Sequence, residues 1–67
     1  MNEHPIVKPG QQWQSVRNGK TVTVIRVECS DEGFWAAKVR PASTNTGKWI
    51  GVGNEGIKGY RLRHEAL

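Results

Sequence analysis

The chain has 67 residues, with ten Lys or Arg side chains against six Asp or Glu and a formal net charge of +4. A chain of this length forms one domain and buries only about 60% of the surface that its unfolded form exposes, which leaves no room for a large active site. We therefore expect a non-enzymatic protein. The positive charge favours an anionic partner, most often nucleic acid, although a basic surface that only keeps a small protein in solution fits it equally well.

Cysteine content and hydropathy indicate in which cellular compartment the protein is expected. The single cysteine, Cys29, excludes an intrachain disulfide and fits a reducing environment. The N-terminal residues have no apolar run of the signal-peptide type, and no stretch approaches the roughly 18 apolar residues of a membrane span. We expect a cytoplasmic protein without a membrane partner.

The N-terminal part of the chain predicts a flexible arm followed by a single domain. Residues 1–8 are mostly polar, with a proline and only one short apolar pair, Ile6-Val7. Pro9-Gly10 is a turn signal that leads into the first predicted strand, Gln12 to Val16. The predicted domain therefore covers residues 9–67.

The pair Asn18-Gly19 predicts a β-hairpin. Asn-Gly is the preferred pair for a two-residue type I′ turn, because both central positions need a positive φ. The first predicted strand precedes this pair, and a β-branched run from Thr21 to Glu28 follows it as the second predicted strand. This hairpin sets the register of the domain.

The second predicted strand changes its inward face along its length. Val22 and Val24 share one face, whereas Ile25 and Val27 share the other. Either the strand is buried on both sides, or a β-bulge near Val24 and Ile25 switches the inward set. We expect the bulge, because such bends allow short strands to close into a small barrel.

Three further strands complete the predicted fold. They run from Phe34 to Arg40, from Lys48 to Val52 and from Tyr60 to His64, with a polar loop after Pro41. The predicted core is formed by Trp13, Val22, Val24, Val27, Trp35, Val39, Ile50 and Leu62. Five short strands without a helical apolar period favour a small SH3-like barrel. An OB-type barrel is the alternative, but it usually has longer strands and a helix.

Two patterns of possible chemical interest have structural explanations. The stretch from Gly51 to Gly56 satisfies G-x-G-x-x-G, but a dinucleotide site also needs a following helix within a βαβ unit of about 30 residues, and the chain ends too soon. We expect these glycines to allow a tight bend instead. His4 and His64 are the only histidines and lack partners at metal-ligand spacing. We therefore expect no metal, cofactor, catalytic residue or small-molecule substrate.

Basic and aromatic residues of the later strands form the candidate site. The acids gather between Glu28 and Glu32 and leave the later strands basic. Aromatic rings stack on bases, and Lys or Arg side chains neutralise phosphates. Weak binding of nucleic acid without strong sequence preference is therefore predicted through Lys38, Arg40, Lys48, Trp49, Arg61 and Arg63. In the alternative interpretation, Phe34 or Trp49 covers one end of the core and the cations only face water.

Three short segments resemble a family of small β-proteins that are encoded in phages of actinobacteria and in their hosts. They are Pro9-Gly10-Gln11-x-Trp13, Gly19-Lys20-Thr21-Val22-x-Val24 and Gly59-Tyr60-Arg61-Leu62, and they span residues 9–62. After Gly47 this chain differs, because such relatives have a more basic strand and a longer connection there. The resemblance implies an SH3-like fold and a phage or accessory-gene origin, with the host cytoplasm as the compartment. It implies no activity.

A protein partner is the second functional hypothesis. Small phage-encoded barrels can bind a host or phage protein by adding a strand at an exposed sheet edge, which needs no charge complementarity. Trp49 would lie at that contact, with Tyr60 as a second anchor.

Overall fold

The computed structural model describes residues 4–65, which form a five-stranded antiparallel sheet. The strands are β1 (Gln12–Ser15), β2 (Thr21–Cys29), β3 (Trp35–Pro41), β4 (Lys48–Val52) and β5 (Tyr60–His64). The all-β prediction is confirmed. The predicted bounds of β4 and β5 agree residue for residue, and those of the first three strands differ by one residue at one or both ends.

The strand order is β4-β3-β2-β1-β5, so β1 to β4 form a meander and β5 returns to pair with β1. Within residues 4–65, β4 and β5 are edge strands and no pairing joins them. The sheet is therefore not closed, and the SH3-like barrel stays a prediction. The same residues include no helix of the length and apolarity that a membrane crossing would need.

The hairpin between β1 and β2 forms where it is predicted, but its turn is longer. Gly19 has a φ of 75°, whereas no non-glycine residue between positions 4 and 65 has a positive φ, so Asn18 does not take up a type I′ conformation. The Gly19 amide donates to the Ser15 carbonyl at 2.9 Å, and the Lys20 amide donates to Asn18 Oδ1 at 2.9 Å. The type I′ prediction was wrong because these bonds stabilise a longer loop.

The predicted bulge in β2 is confirmed. The register with β3 shifts between Val24 and Arg26, so Ile25 is the extra residue on the bulged strand. As a result both Val24 and Val27 face the core, with Val24 fully buried and Val27 partly buried against it. Ile25 stays exposed.

The core lies on one face of the sheet and extends beyond the strands. Its buried hydrophobic residues are Val7, Trp13, Val22, Val24, Ala37, Val39 and Ile57, and Val27 and Ile50 pack against it. Two core predictions were wrong. Leu62 is 36% exposed because β5 is an edge strand, and Trp35 is half-buried at the end of β3, outside this cluster.

The N-terminal segment differs from the predicted flexible arm. From His4 onward it packs on the sheet, and His4 is 3% exposed. The His4 Nε2 atom donates to the Gly53 carbonyl at 2.9 Å, and Nδ1 accepts the Ile6 and Val7 amides at 3.1 and 3.0 Å. The His4 ring also contacts the Trp35 ring edge-to-face, with centroids 5.2 Å apart. The arm prediction was therefore wrong for residues 4–8, and its first three residues lie outside the described range.

The turn after β4 explains the glycine-rich stretch. Two backbone hydrogen bonds connect Gly53 with Gly56, at 2.8 and 3.2 Å. Gly56 has a φ of 117°, and a Cβ atom there would lie 2.7 Å from the Trp13 ring. This stretch forms a tight bend against the core, as predicted, and β5 follows it without a helix in the described residues.

Candidate nucleic-acid interface

The sheet face opposite the core carries most of the candidate site. Residues that pair directly across two strands lie on the same face. Lys38 pairs with Trp49 on β4 and with Arg26 on β2, and Arg40 pairs with Thr23. Since the intervening Val39 is buried in the core, these side chains lie on the outer face. The structure therefore brings Lys38, Arg40 and Trp49 together on neighbouring strands.

Arg61 lies on the same face at the other side of the sheet. It pairs with Gln14 on β1, which pairs with Thr21 on β2. Three inter-strand steps thus separate Arg61 from β3, a distance of about 14 Å along the sheet at about 4.8 Å per step. A ligand that contacts both Arg61 and Arg40 must extend across the whole face.

Two of the predicted residues do not join this face. Lys48 pairs with the buried Val39, so strand alternation directs it away from Trp49, although it is exposed at the beginning of an edge strand. Arg63 lies at the register shift between β1 and β5, between Leu62 and His64, and has no directly paired residue. Strand alternation in the sequence already separates Lys48 from its neighbour Trp49, whereas the position of Arg63 depends on the register with β1.

Arg26 is a basic residue of the outer face that sequence reasoning missed. The bulge at Ile25 places Arg26 in one row with Lys38 and Trp49. Its guanidinium forms an ion pair with Glu28, and both side chains are well exposed. Such exposed pairs contribute only about 0–1 kcal/mol, so an incoming phosphate can compete for Arg26. The predicted bulge was the signal that would have identified this residue.

The Lys38 side chain is held by its packing. A Cβ atom on Gly47 would lie 2.9 Å from Lys38 Cε and 3.3 Å from Cγ, so the aliphatic part of the lysine lies directly against the Gly47 backbone. A lysine whose methylene groups are packed loses less conformational freedom when its ammonium group contacts a ligand.

An apolar groove adjoins this basic row. It has a volume of about 280 Å³ and is lined by Phe34, Trp35, Trp49, Ala36 and the segment Glu28-Cys29-Ser30. Phe34 is 71% exposed and Trp49 is 49% exposed, so neither ring covers the core. The alternative in which these rings close one end of the core was therefore wrong.

The loop before β3 fixes the position of Phe34. The Ser30 amide donates to the Phe34 carbonyl at 2.7 Å, and the Phe34 amide donates to Ser30 Oγ at 3.1 Å. Gly33 has a φ of 90°, and its amide donates to the Ser30 carbonyl at 3.0 Å. The exposed ring therefore extends from a hydrogen-bonded turn.

Within residues 4–65, no three His, Cys, Asp or Glu side chains lie close enough together to hold a metal ion. Comparison of the chain with protein-family models, curated proteins and solved structures gives no match. The resemblance to phage-encoded β-proteins stays a prediction.

Proposed function

We propose that this protein is a non-enzymatic binding module that binds nucleic acid weakly and without strong sequence preference. The observation that carries this proposal is the row of Trp49, Lys38 and Arg26 across three adjacent strands, with Arg40 on the same face. An exposed indole ring provides a surface on which a base stacks, and the cations beside it neutralise phosphates. Arg61 extends the positive face toward β5.

The expected binding energy is dominated by counterion release. For a single strand, the slope of log K against log salt is roughly −0.7 for each phosphate that is neutralised. About three or four engaged cations therefore predict a slope between about −2 and −3, with micromolar affinity at low salt. Sequence preference stays small because phosphate contacts carry no base information.

A salt series of oligonucleotide titrations tests this function. A labelled single strand is titrated with the protein, and both the anisotropy of the label and the tryptophan emission are recorded. We expect an affinity that falls steeply with salt and a quenching of Trp49 as a base stacks on its ring. The absence of binding at low ionic strength would overturn the proposal.

We also propose that the architecture is SH3-like. Three features support it: the strand order β4-β3-β2-β1-β5, the return of the last strand to β1, and the bulge that bends β2 at Ile25. A solution structure determined by NMR tests it, because a strongly bent sheet gives long-range contacts between the two halves of β2 and the edge strands. A flat five-stranded sheet in solution would contradict it.

A protein-binding function is the second candidate, and the edge position of β4 favours it. Among the described strands β4 pairs with β3 alone, and it presents the exposed Trp49 beside an apolar groove. An extended segment of a host or phage protein can add to such an edge. Capture of partners on the immobilised protein, followed by nuclease treatment and a high-salt wash, distinguishes the two functions, because only a protein partner stays bound through both treatments.

A further inference from the structure

Phe34 and Trp49 are two of the five large hydrophobic residues that are exposed among residues 4–65, and these two flank one groove. Trp13 is buried, whereas Phe34 and Trp49 flank an open groove with Trp35 half-buried beside them. Large apolar side chains grouped in this way indicate a contact surface. The backbone of both exposed residues is fixed, Phe34 by its hydrogen bonds to Ser30 and Trp49 by its pairing with Lys38.

The groove has the size for one flat ring system. Pockets that enclose drug-sized ligands have volumes of about 300–1,000 Å³. At about 280 Å³, and open to solvent, this groove is smaller than those pockets. Its aromatic lining offers flat apolar surfaces, which recognise a planar ligand by stacking.

One acid, Glu28, lines the groove, and it is ion-paired with Arg26 in an exposed pair that a phosphate can replace. Lys38 lies beside Trp49, so these charges match a nucleotide better than an apolar peptide. Lys38 pairs directly with Trp49, so its Cβ atom lies about 5 Å from that of the tryptophan. The methylene groups of Lys38 lie against Gly47. A ring that stacks on Trp49 therefore has a cation on the neighbouring strand for its linked phosphate, and Arg26 continues the positive row. A base in a duplex is stacked between its neighbours and cannot offer a free face.

We propose that the groove between Phe34 and Trp49 binds one unpaired nucleobase, which makes single-stranded nucleic acid the ligand of this interface. The proposal rests on the nucleic-acid function above and specifies its ligand. The base stacks in the groove, and the backbone leaves it across β3 toward Lys38, Arg26 and Arg40. Stacking on one base increases the affinity by about 5- to 150-fold over phosphate contacts alone.

Two oligonucleotides of equal charge separate the base contribution from the phosphate contribution. The first is a twelve-residue oligothymidylate, and the second is an abasic strand with the same number of phosphates. We expect the protein to bind oligothymidylate at least fivefold more tightly than the abasic strand at one salt concentration.

Variants of the two exposed aromatic residues test whether these residues bind the base. In Phe34→Ala and Trp49→Ala, we expect the ratio of the affinity for oligothymidylate to the affinity for the abasic strand to fall toward one. The affinity for the abasic strand itself should change less than twofold. Val16→Ala removes an apolar side chain outside the groove whose 65% exposure lies between those of Trp49 and Phe34, and it serves as the control. Amide NMR spectra of each variant establish that the fold is retained.

The alkylation rate of Cys29 provides a readout that needs no substitution. Cys29 is an exposed thiol and lines the groove. We expect saturating oligothymidylate to slow its alkylation at least threefold and the abasic strand to leave the rate unchanged.

The results of these experiments distinguish the proposed base site from the proposed nucleic-acid-binding function. Equal, salt-dependent affinity for both strands, or an unchanged alkylation rate at saturation, would overturn the base site and leave the phosphate-binding function intact. Binding of neither strand at low salt would overturn the function as well. Capture of an extended apolar peptide in the groove, without any oligonucleotide binding, would favour the protein-binding function.

Discussion

The side-chain oxygen of Gln11 accepts a hydrogen bond from the indole N–H of Trp13 at 2.9 Å, inside the protein. Gln11 is 1% exposed, and its oxygen also accepts the Lys8 amide at 2.8 Å. Its nitrogen donates to the Ile6 carbonyl and to Glu65 Oε1, both at 2.8 Å. One polar side chain therefore connects the N-terminal segment and the residue after β5 to the central tryptophan, and its hydrogen-bonding groups are satisfied.

Gln11→Ala is expected to destabilise the protein by about 2–4 kcal/mol. The substitution leaves the Trp13 N–H and the Lys8 amide without an acceptor, and each buried unsatisfied group costs about 1–3 kcal/mol. Urea denaturation followed by tryptophan emission measures the effect. The adjacent exposed Gln12→Ala serves as the control and should stay within about 0.5 kcal/mol of the wild type. Equal stability of the two variants would contradict this role of Gln11.

His4 is expected to have its hydrogen on Nε2 and to hold residues 4–8 on the sheet. Its Nδ1 accepts two backbone amides while Nε2 donates to Gly53, so only the Nε2–H tautomer satisfies all three bonds. His4→Ala should cost about 1–3 kcal/mol and increase the exchange rate of the Ile6 and Val7 amides. Hydrogen exchange and long-range nitrogen NMR of the ring measure both effects. The exposed His64→Ala is the control, and unchanged exchange in His4→Ala would show that the segment is held by other contacts.

The two glycines at positions 51 and 56 are expected to differ sharply in their tolerance of a methyl group. A Cβ atom at Gly56 meets the Trp13 ring at 2.7 Å and requires a side chain at a φ of 117°, whereas a Cβ atom at Gly51 meets nothing within 4 Å. Gly56→Ala should therefore cost about 2–4 kcal/mol, through overpacking and backbone strain together. Gly51→Ala should change the stability by less than about 0.5 kcal/mol. Thermal unfolding of both variants tests this difference, and similar melting temperatures would contradict it.

The strands were predictable because their signals are local. Alternation and turn residues define β4 and β5, and the conflict between Val24 and Ile25 requires a bulge that the register then shows. The hairpin turn was predicted less well, since Asn18-Gly19 is also compatible with a longer loop that side chains stabilise.

The buried polar residues were not predictable in the same way. His4 and Gln11 each have local partners and also donate to one group that is distant in the sequence, the Gly53 carbonyl for His4 and the Glu65 carboxylate for Gln11. Short-range patterns contain no information about such partners. The candidate site divides in a similar way: Lys38 and Trp49 meet through the register between β3 and β4, which the sequence does not give, whereas alternation within β4 already directs Lys48 to the other face.

Substitution of single cations is expected to weaken the salt dependence of binding only where the cation lies on the outer face of the sheet. Lys38→Ala, Arg40→Ala and Arg61→Ala should each make the slope of log K against log salt shallower by roughly 0.7, because each loses one phosphate contact. Lys8→Ala removes the same charge from a residue before β1 that lies outside this face, and it should leave the slope unchanged. Anisotropy titrations with a single-stranded oligonucleotide over a salt series measure all four slopes. If Lys8→Ala makes the slope shallower by as much as the three variants of the outer face do, binding depends on net charge alone, and the outer face has no special role.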